Sequence, residues 1–445
     1  MSRVAARVGR IVLVLIAVLA LPAAVAGLDV RAAFGSWYTP AGPAPAQLPA
    51  PPVHDPAKRT AVVLASLEGT TVSDALGPYE ALSATGAFNV YLVAPERRPV
   101  PLTGGLDVLP DLGFAELDER LGGAAPEVVV VPAVTDVGRS SSRPLGEWAT
   151  KQMGRTLMVS VCNGSGVLAA AGLFDGRSAT AHWTRIGSYE NTYPQVDWQL
   201  GVRWTDDGDL ISSAGILSGI DATLHVIDRL LGPAAAAQAA AELDWAPRPV
   251  AQEQHTWQPS DAIVVLNGGY RWDPARIGVL LQDGVGETEL AAVFDTYGSY
   301  VFVTRTIALG TEPGRLVRSR HGLVLLPRAT VGEHPVDRLL VPHGPLPATD
   351  GVAPEQFPPA GVDPFDAVLH DIAATVDVPT ARWVARALEY PGAGLELTGP
   401  GWPAGLILRP VLLALVGAAV VVVGTVVVGT VRRRRRTAAE PSRIS

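Results

Sequence analysis

Residues Leu157-Met158-Val159-Ser160-Val161-Cys162-Asn163-Gly164-Ser165-Gly166 decide the fold. A β run ends at a potential nucleophile, Cys162, with the small residues Ser160 and Gly164 two positions to either side. A sharp strand-to-helix turn needs that spacing, because a larger side chain would collide where the backbone doubles back. Such an elbow presents the sulfur at the N-terminus of the next helix. Unpaired amides and the helix dipole there favour thiolate, so a lowered pKa is expected. The competing expectation is plain packing, since free cysteines are among the most buried residue types.

Around the elbow the sequence alternates short β runs with helical stretches. Ala61–Leu67 reads as a strand, Val72–Ala84 as a helix stopped by Gly86, and Asn89–Ala94 as a strand. Val128–Val131 is an unbroken β-branched run, as in a strand buried on both faces. Pro144–Arg155 reads as helix, Leu157–Cys162 as strand, Gly166–Ala171 as the opening of a helix, and Ser218–Leu231 as a helix ended by Gly232 and Pro233. The fold class expected is α/β, a doubly wound, mostly parallel sheet carrying a cysteine elbow.

A second α/β unit follows a loose stretch around Pro247–Pro259. Its strand and helix, Ile277–Tyr297, resemble the start of the first unit. With Gly69 set against Gly284, Asp74 meets Glu289, Tyr79 meets Phe294 and Glu80 meets Asp295; later, Val131-Pro132 is echoed by Val341-Pro342. This pattern reads as a degenerate internal copy without the elbow. It continues through Phe365–Tyr390, expected as two helices split by Pro379.

Both chain ends are apolar. Arg3, Arg7 and Arg10 precede an apolar run from Ile11 to Ala26, and Ala24-Val25-Ala26 has the form of a signal-peptidase site. A cleaved signal peptide and a retained signal anchor both fit. Val411–Val431 is 21 residues without a charge, enough to span roughly 30 Å as a helix. Arg432–Arg436 follow it and place the tail in the cytoplasm and the bulk of the chain outside. The domain plan expected is therefore 1–26 signal peptide or anchor, 27–58 Pro/Ala-rich linker, 59–245 elbow domain and 246–260 linker. Residues 261–400 form the degenerate second domain, 411–431 a single transmembrane helix and 432–445 a basic tail.

The chain carries 35 Lys and Arg against 43 Asp and Glu, a formal charge of -8. An acidic body lacks the basic stripe that nucleic acid requires, so no nucleic-acid partner is expected. A single cysteine excludes an intramolecular disulfide, a Cys-rich metal knuckle and a Cys-X-X-Cys pair. His321, His334 and His343 lack the local spacing of a zinc site and read as scattered loop histidines. With no Gly-rich phosphate loop and lysine either, neither metal nor cofactor is expected.

Val161-Cys162-Asn163-Gly164, then Val167 through Arg177 (Val-Leu-Ala-Ala-Ala-Gly-Leu-Phe-Asp-Gly-Arg), then Ala181-His182-Trp183, resemble the elbow region of the ThiJ/PfpI superfamily. That superfamily has the class I glutamine amidotransferase-like fold. The nearest subgroup is the isonitrile-hydratase-like domains, also found as the sensory half of AraC-type regulators. Asp74-Ala75-Leu76-Gly77-Pro78-Tyr79-Glu80 is similar to the helix start after the family's first strand. Ser213-Ala214-Gly215 with Gly219-Ile220-Asp221 is similar to its closing segment, so the resemblance covers roughly Thr60 to Trp245.

The resemblance implies Cys162 as nucleophile and Asp74 as the acidic residue that approaches its sulfur, both as catalytic candidates. Such a carboxyl can hydrogen-bond a thiolate or move a proton; Asp74 as a plain helix N-cap is the alternative. His182 matches a histidine on the strand after the elbow helix, with a structural role and a pocket role equally open. The amide of Asn163 offers one oxyanion donor. Two departures stand out. Asn163 replaces the histidine of protease-like members and the threonine usual in hydratase-like ones. Pro132-Ala133-Val134 replaces Pro-Gly-Gly, so Ala133 and Val134 are expected to shape the pocket with Asn163 and His182. No AraC-type helix-turn-helix pattern follows. Two functions fit: small-molecule binding or thiol sensing at the elbow, or a cysteine-dependent hydratase or hydrolase acting on a small electrophile. Expected partners are a small molecule, the membrane and, within the chain, the second unit as a pseudo-dimer mate.

Overall fold

The computed structural model describes residues 3–391 and 394–437. Helix α1 (Arg3–Gly35) leads into an irregular stretch and then a first α/β unit. In chain order this unit holds β1 (Arg59–Leu64), α2 (Val72–Ala84), β2 (Phe88–Ala94), β3 (Val100–Leu102), β4 (Leu106–Leu109), β5 (Leu112–Gly113), α3 (Phe114–Arg120) and β6 (Val128–Val131). It continues with α4 (Arg143–Gln152), β7 (Leu157–Val161), α5 (Gly164–Ala170), β8 (Ser178–Ala179), α6 (Trp183–Thr192) and β9 (Asp197–Trp198). It closes with β10 (Trp204–Asp207), β11 (Leu210–Ser213), α7 (Ser218–Leu231) and α8 (Pro233–Glu242).

The main sheet runs β10-β11-β7-β6-β1-β2-β5 and is parallel except for β10 on β11. The β-branched run of β6 sits at its centre. Val128 and Val130 face one apolar core while Val129 and Val131 face the other, which is why the run shows no polar alternation. The helices over Val72–Ala84 and Ser218–Leu231 have the bounds their periodicity predicts.

The second unit comprises α9 (Ala262–Tyr270), β12 (Ala275–Leu280), α10 (Glu287–Asp295), β13 (Thr304–Gly310), β14 (Val317–Arg318), β15 (Val324–Leu326) and β16 (Ala329–Thr330). Then come β17 (Arg338–Val341), β18 (Pro354–Gln356), α11 (Pro364–Thr375) and α12 (Val378–Ala387), before the long apolar α13 (Ala404–Thr437). Its parallel sheet runs β16-β13-β12-β17-β18. This order parallels β5-β2-β1-β6-β7 of the first unit. The helices α11 and α12 divide just before Pro379, which sits in the first turn of α12 where its missing N–H costs nothing.

The two units share a four-stranded sheet, β14-β15-β4-β3, in which β15 and β4 pair antiparallel, Leu325 opposite Val108. Helices α2 and α10 pack together beside it. Glu80, on α2, accepts a hydrogen bond from the Thr288 amide at 2.5 Å, and Asp295, on α10, accepts one from the Ser73 amide at 3.2 Å. Each carboxylate thereby reaches the first turn of the other helix, where amides lack intrahelical partners.

Both expected linkers are packed rather than free. Residues 39–56 have no internal hydrogen bonding, so their carbonyls accept from arginines of the body: Pro49 O from Arg97 at 2.5 Å and Pro52 O from Arg120 at 2.8 Å. Asp55 N donates to Asn89 Oδ1 at 2.9 Å. Residues 246–260 are held by Arg203 N to Val250 O at 2.7 Å and Gln252 N to Gly201 O at 3.0 Å. Helix α1 continues past Ala26 to Gly35. α1 and α13 lie side by side with α9 against both. Segments Val14–Gly35 and Ala404–Val431 are each long and apolar enough to cross a membrane. Of the expected basic tail, residues 438–445 lie outside the described residues.

Candidate functional site

Cys162 sits between β7 and α5 with φ of 56°, the left-handed conformation a sharp elbow forces on a residue with a side chain. The small neighbours are sterically required. A Cβ on Gly164 would lie 1.9 Å from Val131 O, and one on Gly166 would lie 2.4 Å from Tyr189 Oη. Ser160 and Ser165 hydroxyls join across the turn at 2.8 Å.

The sulfur is not exposed, which corrects the expectation of a low thiol pKa. Cys162 is 3% exposed, and burial, followed by the neighbouring Asp74 carboxyl, pushes its thiol well above the ordinary value. The Asn163 amide, which hydrogen-bonds the thiol, acts the other way and loses. Helix α5 spans only seven residues, so its dipole cannot offset complete desolvation.

Asp74 lies in the first turn of α2, and Thr71 occupies the N-cap, so the capping alternative for Asp74 falls. Its carboxyl is fully buried: Oδ2 accepts from the Ala133 amide at 2.9 Å and Oδ1 has no partner in the protein. Burial first, then the nearby Asp295 charge, push its pKa well above the carboxylate range. Asp295 accepts from Thr103 Oγ1 at 2.7 Å and from Ser73 N, so of the two acids Asp74 is the one better placed to keep the proton. The Ala133 amide is committed to Asp74 and is not free to serve a group in the pocket.

His182 caps α6. Its Nδ1 meets Thr184 Oγ1 at 2.7 Å, and Nε2, assigned as the protonated nitrogen, donates to Ala387 O at 2.8 Å. Burial drives its pKa down to about 4, so the ring is neutral. It is both structurally satisfied and part of the pocket lining.

That pocket, about 760 Å³, brings Cys162, Asn163, Ala133, Val134 and His182 together; Asp74 lies behind its wall. Much of the lining comes from elsewhere in the chain. Trp37 and Tyr38 follow α1, and Tyr300, Phe302 and Trp383 belong to the second unit. Tyr300 ends a π-helical turn, Thr296–Tyr300, and Phe302 has φ of 57°. Backbone of this kind collects at functional sites. Nothing near these aromatics in the sequence forms a motif with the elbow, so sequence reading missed them.

His321 is not a scattered loop histidine. Its Nδ1 meets Glu287 Oε2 at 2.9 Å, and Glu80, Glu287 and His321 form a group whose ligand atoms lie within 4.8 Å of one another. Arg320 already supplies a cation to Glu80 at 3.0 Å.

With this geometry in hand, comparison with known proteins is informative. The DJ-1/PfpI family model matches residues 58–229. An isonitrile hydratase of Pseudomonas putida is 31% identical over 179 residues, covering 40% of this chain and 74% of the hydratase. The chain belongs to the DJ-1/PfpI family. Another DJ-1/PfpI relative is the HTH-type transcriptional regulator CdhR of Pseudomonas aeruginosa, 30% identical, with 39% of this chain matching 51% of the regulator. Among solved structures, a ThiJ/PfpI family protein from Pseudomonas syringae aligns over 43% of this chain and 77% of its own, with 26% identity and a TM-score of 0.37.

Proposed function

We propose that this DJ-1/PfpI protein is a membrane-anchored, extracytoplasmic module that binds a small molecule, or senses thiol chemistry, at Cys162. The observation that carries the reading is the 760 Å³ pocket over the elbow, within the range of ligand sites. A thiol held protonated at rest suits the floor of a binding pocket better than an armed nucleophile.

The inferred topology has both apolar helices crossing the bilayer and residues between them outside. Arg3, Arg7 and Arg10 before one span and Arg432–Arg436 after the other favour cytoplasmic ends. We read α1 as a retained anchor. Val18 lies against Gly417 of α13, Ala26 against Gly269, and Pro22 O accepts from Tyr270 Oη at 3.2 Å. Cleavage after Ala26 would remove all three contacts. Arg409 lies 4.8 Å over the Trp272 ring, a fitting pair for the headgroup level. The inferred partners are a small molecule and the bilayer, not nucleic acid.

We read residues 59–245 and 261–400 as an original and a decayed copy, fused as a pseudo-twofold pair. The matching sheet orders and the reciprocal contacts of Glu80 and Asp295, positions that pair in the repeat, have the form of an isologous interface.

A second reading, a cysteine-dependent hydratase or hydrolase, is favoured by the protonated Asp74 beside Cys162 and by the similarity to an isonitrile hydratase. Such a carboxyl can hand over a proton as sulfur attacks a small electrophile.

The test is the rate of Cys162 alkylation by a small water-soluble reagent against pH. An apparent pKa above that of a free thiol, shifted in Asp74→Asn, is expected; a thiol that labels only on unfolding removes the site. Turnover of a small nitrile-like or carbonyl compound, lost in Cys162→Ser, would move the choice to the second reading. Reporter fusions after Trp245 and at the C-terminus check the topology, with a cytoplasmic signal from the first overturning it.

A further inference from the structure

The pocket over Cys162 is not walled by the α/β units alone. Val30 and Phe34, on the outer part of the candidate span in α1, face it, as do Val264 and Val265 of α9. Phe34 is 49% exposed, Val265 54% and Trp257 63%, so the rim of the pocket is itself apolar and open. A soluble site would shield such side chains from water. Here they continue the surface of two helices that pack on α13. Polar groups line the same pocket. Tyr38 Oη meets Thr71 Oγ1 at 3.0 Å, Thr135 Oγ1 is buried without a protein partner, and Cys162 and Asn163 complete the floor.

We infer that the pocket takes a single-chain amphiphile from the outer leaflet, its polar end at Cys162 and its alkyl chain along Phe34, Val265 and Trp257 toward the bilayer. The inference rests on the membrane-anchored pocket reading above and names its ligand class and route. The lining offers such a ligand both polar groups at the elbow and an apolar wall from α1 and α9. The wall that completes the apolar end comes from the anchor helix, so the ligand would meet the site at the depth where its own chain already resides. Desolvation of the exposed apolar rim by lipid or by the alkyl chain then favours occupancy.

The single cysteine makes the test clean. The full chain is reconstituted in phosphatidylcholine nanodiscs and treated with N-methylmaleimide or N-dodecylmaleimide, and the adduct at Cys162 is read by intact mass. In each, the thiol sulfur adds to the maleimide double bond and its proton passes to the neighbouring carbon. The dodecyl reagent is expected to react at least about tenfold faster, because each methylene seated on the apolar wall adds to binding. Val265→Glu, at a half-exposed position on the apolar wall, is expected to slow the dodecyl reagent and bring the two rates together. If the methyl reagent reacts as fast as the dodecyl one, or Val265→Glu leaves the advantage intact, bilayer loading is wrong while the thiol pocket stands. If neither reagent reacts before unfolding, the pocket reading falls and the inference with it.

Discussion

The two α/β units begin alike and part at the same point. β1, α2 and β2 have counterparts in β12, α10 and β13, and β6 has one in β17. After β6 the first unit turns through Pro132-Ala133-Val134 and builds α4, β7 and the elbow. After β17 the second turns through Pro342-His343-Gly344 to β18, a three-residue strand with no elbow behind it. What persists in both is the face that meets the other unit: α2 on α10, and β4 on β15. Pairing and chemistry thus occupy separable parts of this fold. The unit without an elbow lends Tyr300, Phe302 and Trp383 to the pocket of the unit that has one.

The contrast is tested most strongly at two glycines, one just after the elbow cysteine and one in the loop before β18. Gly164→Ala drives a Cβ to 1.9 Å from Val131 O, and a loss of about 3 kcal/mol or more is expected in denaturant unfolding. Gly351→Ala, between β17 and β18, meets nothing within 4 Å and is expected to change stability by less than about 0.5 kcal/mol. Equal effects would mean that the second connection is as constrained as the elbow.

The shared face is tested next by Glu80→Ala and Asp295→Ala. Each strands a buried amide at the start of the opposite helix, and each is expected to cost about 2–3 kcal/mol. A fused pair predicts similar losses on both sides, whereas an independent spacer domain predicts a small loss for both. Protease cleavage near Gln254 sharpens the point: release of a stable, monomeric first unit with unchanged melting would overturn the fused pair.

Where the two units meet around α12, two buried groups give opposite pH limbs. Burial holds the folded His182 at about 4, below its ordinary 6.5, so its contribution is present above 6.5 and is lost as pH falls toward 4. Burial raises the Glu389 carboxyl from 4.5 to about 7, so the folded form binds its proton more tightly and stability falls as pH rises from 4.5 to 7. Each limb is worth about 3 kcal/mol as an order of magnitude. In melts across pH 4 to 7, His182→Gln should shrink the loss at low pH and Glu389→Gln the loss at high pH, the remainder of which comes from Glu80 and Asp111, also raised by burial to about 7. A profile unchanged in both variants would remove the assignment.

The smallest effect lies at the exposed starts of the central strands of each sheet. Arg59 pairs with Glu127 at 3.0 Å, and Arg276 reaches Asp337 at 3.6 Å in the equivalent place, all four side chains well exposed. Alanine at either arginine is expected to change stability by no more than about 0.5 kcal/mol. A larger loss at only one site would show that the likeness of the two units stops short of the surface.

Much of the scaffold was legible in the chain because local rules decide it. Helix α2 between Val72 and Ala84 and the all-β-branched β6 follow from side-chain period and burial on both faces. The short edge elements β8 to β10 and the β3-β4 hairpin left no such trace, since two to four residues do not establish a period. The elbow was legible to the residue, and the resting state of its sulfur was misjudged. A helix N-terminus is a local feature, but Tyr38 and Tyr300, half-buried in the pocket lining with the sulfur, lie more than a hundred residues from it in sequence.

What the sequence determined by itself was the turn at Cys162, the alternation of strands and helices and the two apolar ends. Steric collision at Gly164, a period of 2 or 3.6 and the length of an uncharged run are all properties of neighbouring residues. Only the tertiary structure decided the protonation of Cys162 and Asp74, the neutral His182 locked to Ala387 and the shared wall of the pocket. Desolvation and charge proximity depend on which distant segments are brought together, and no local stretch of chain carries that information.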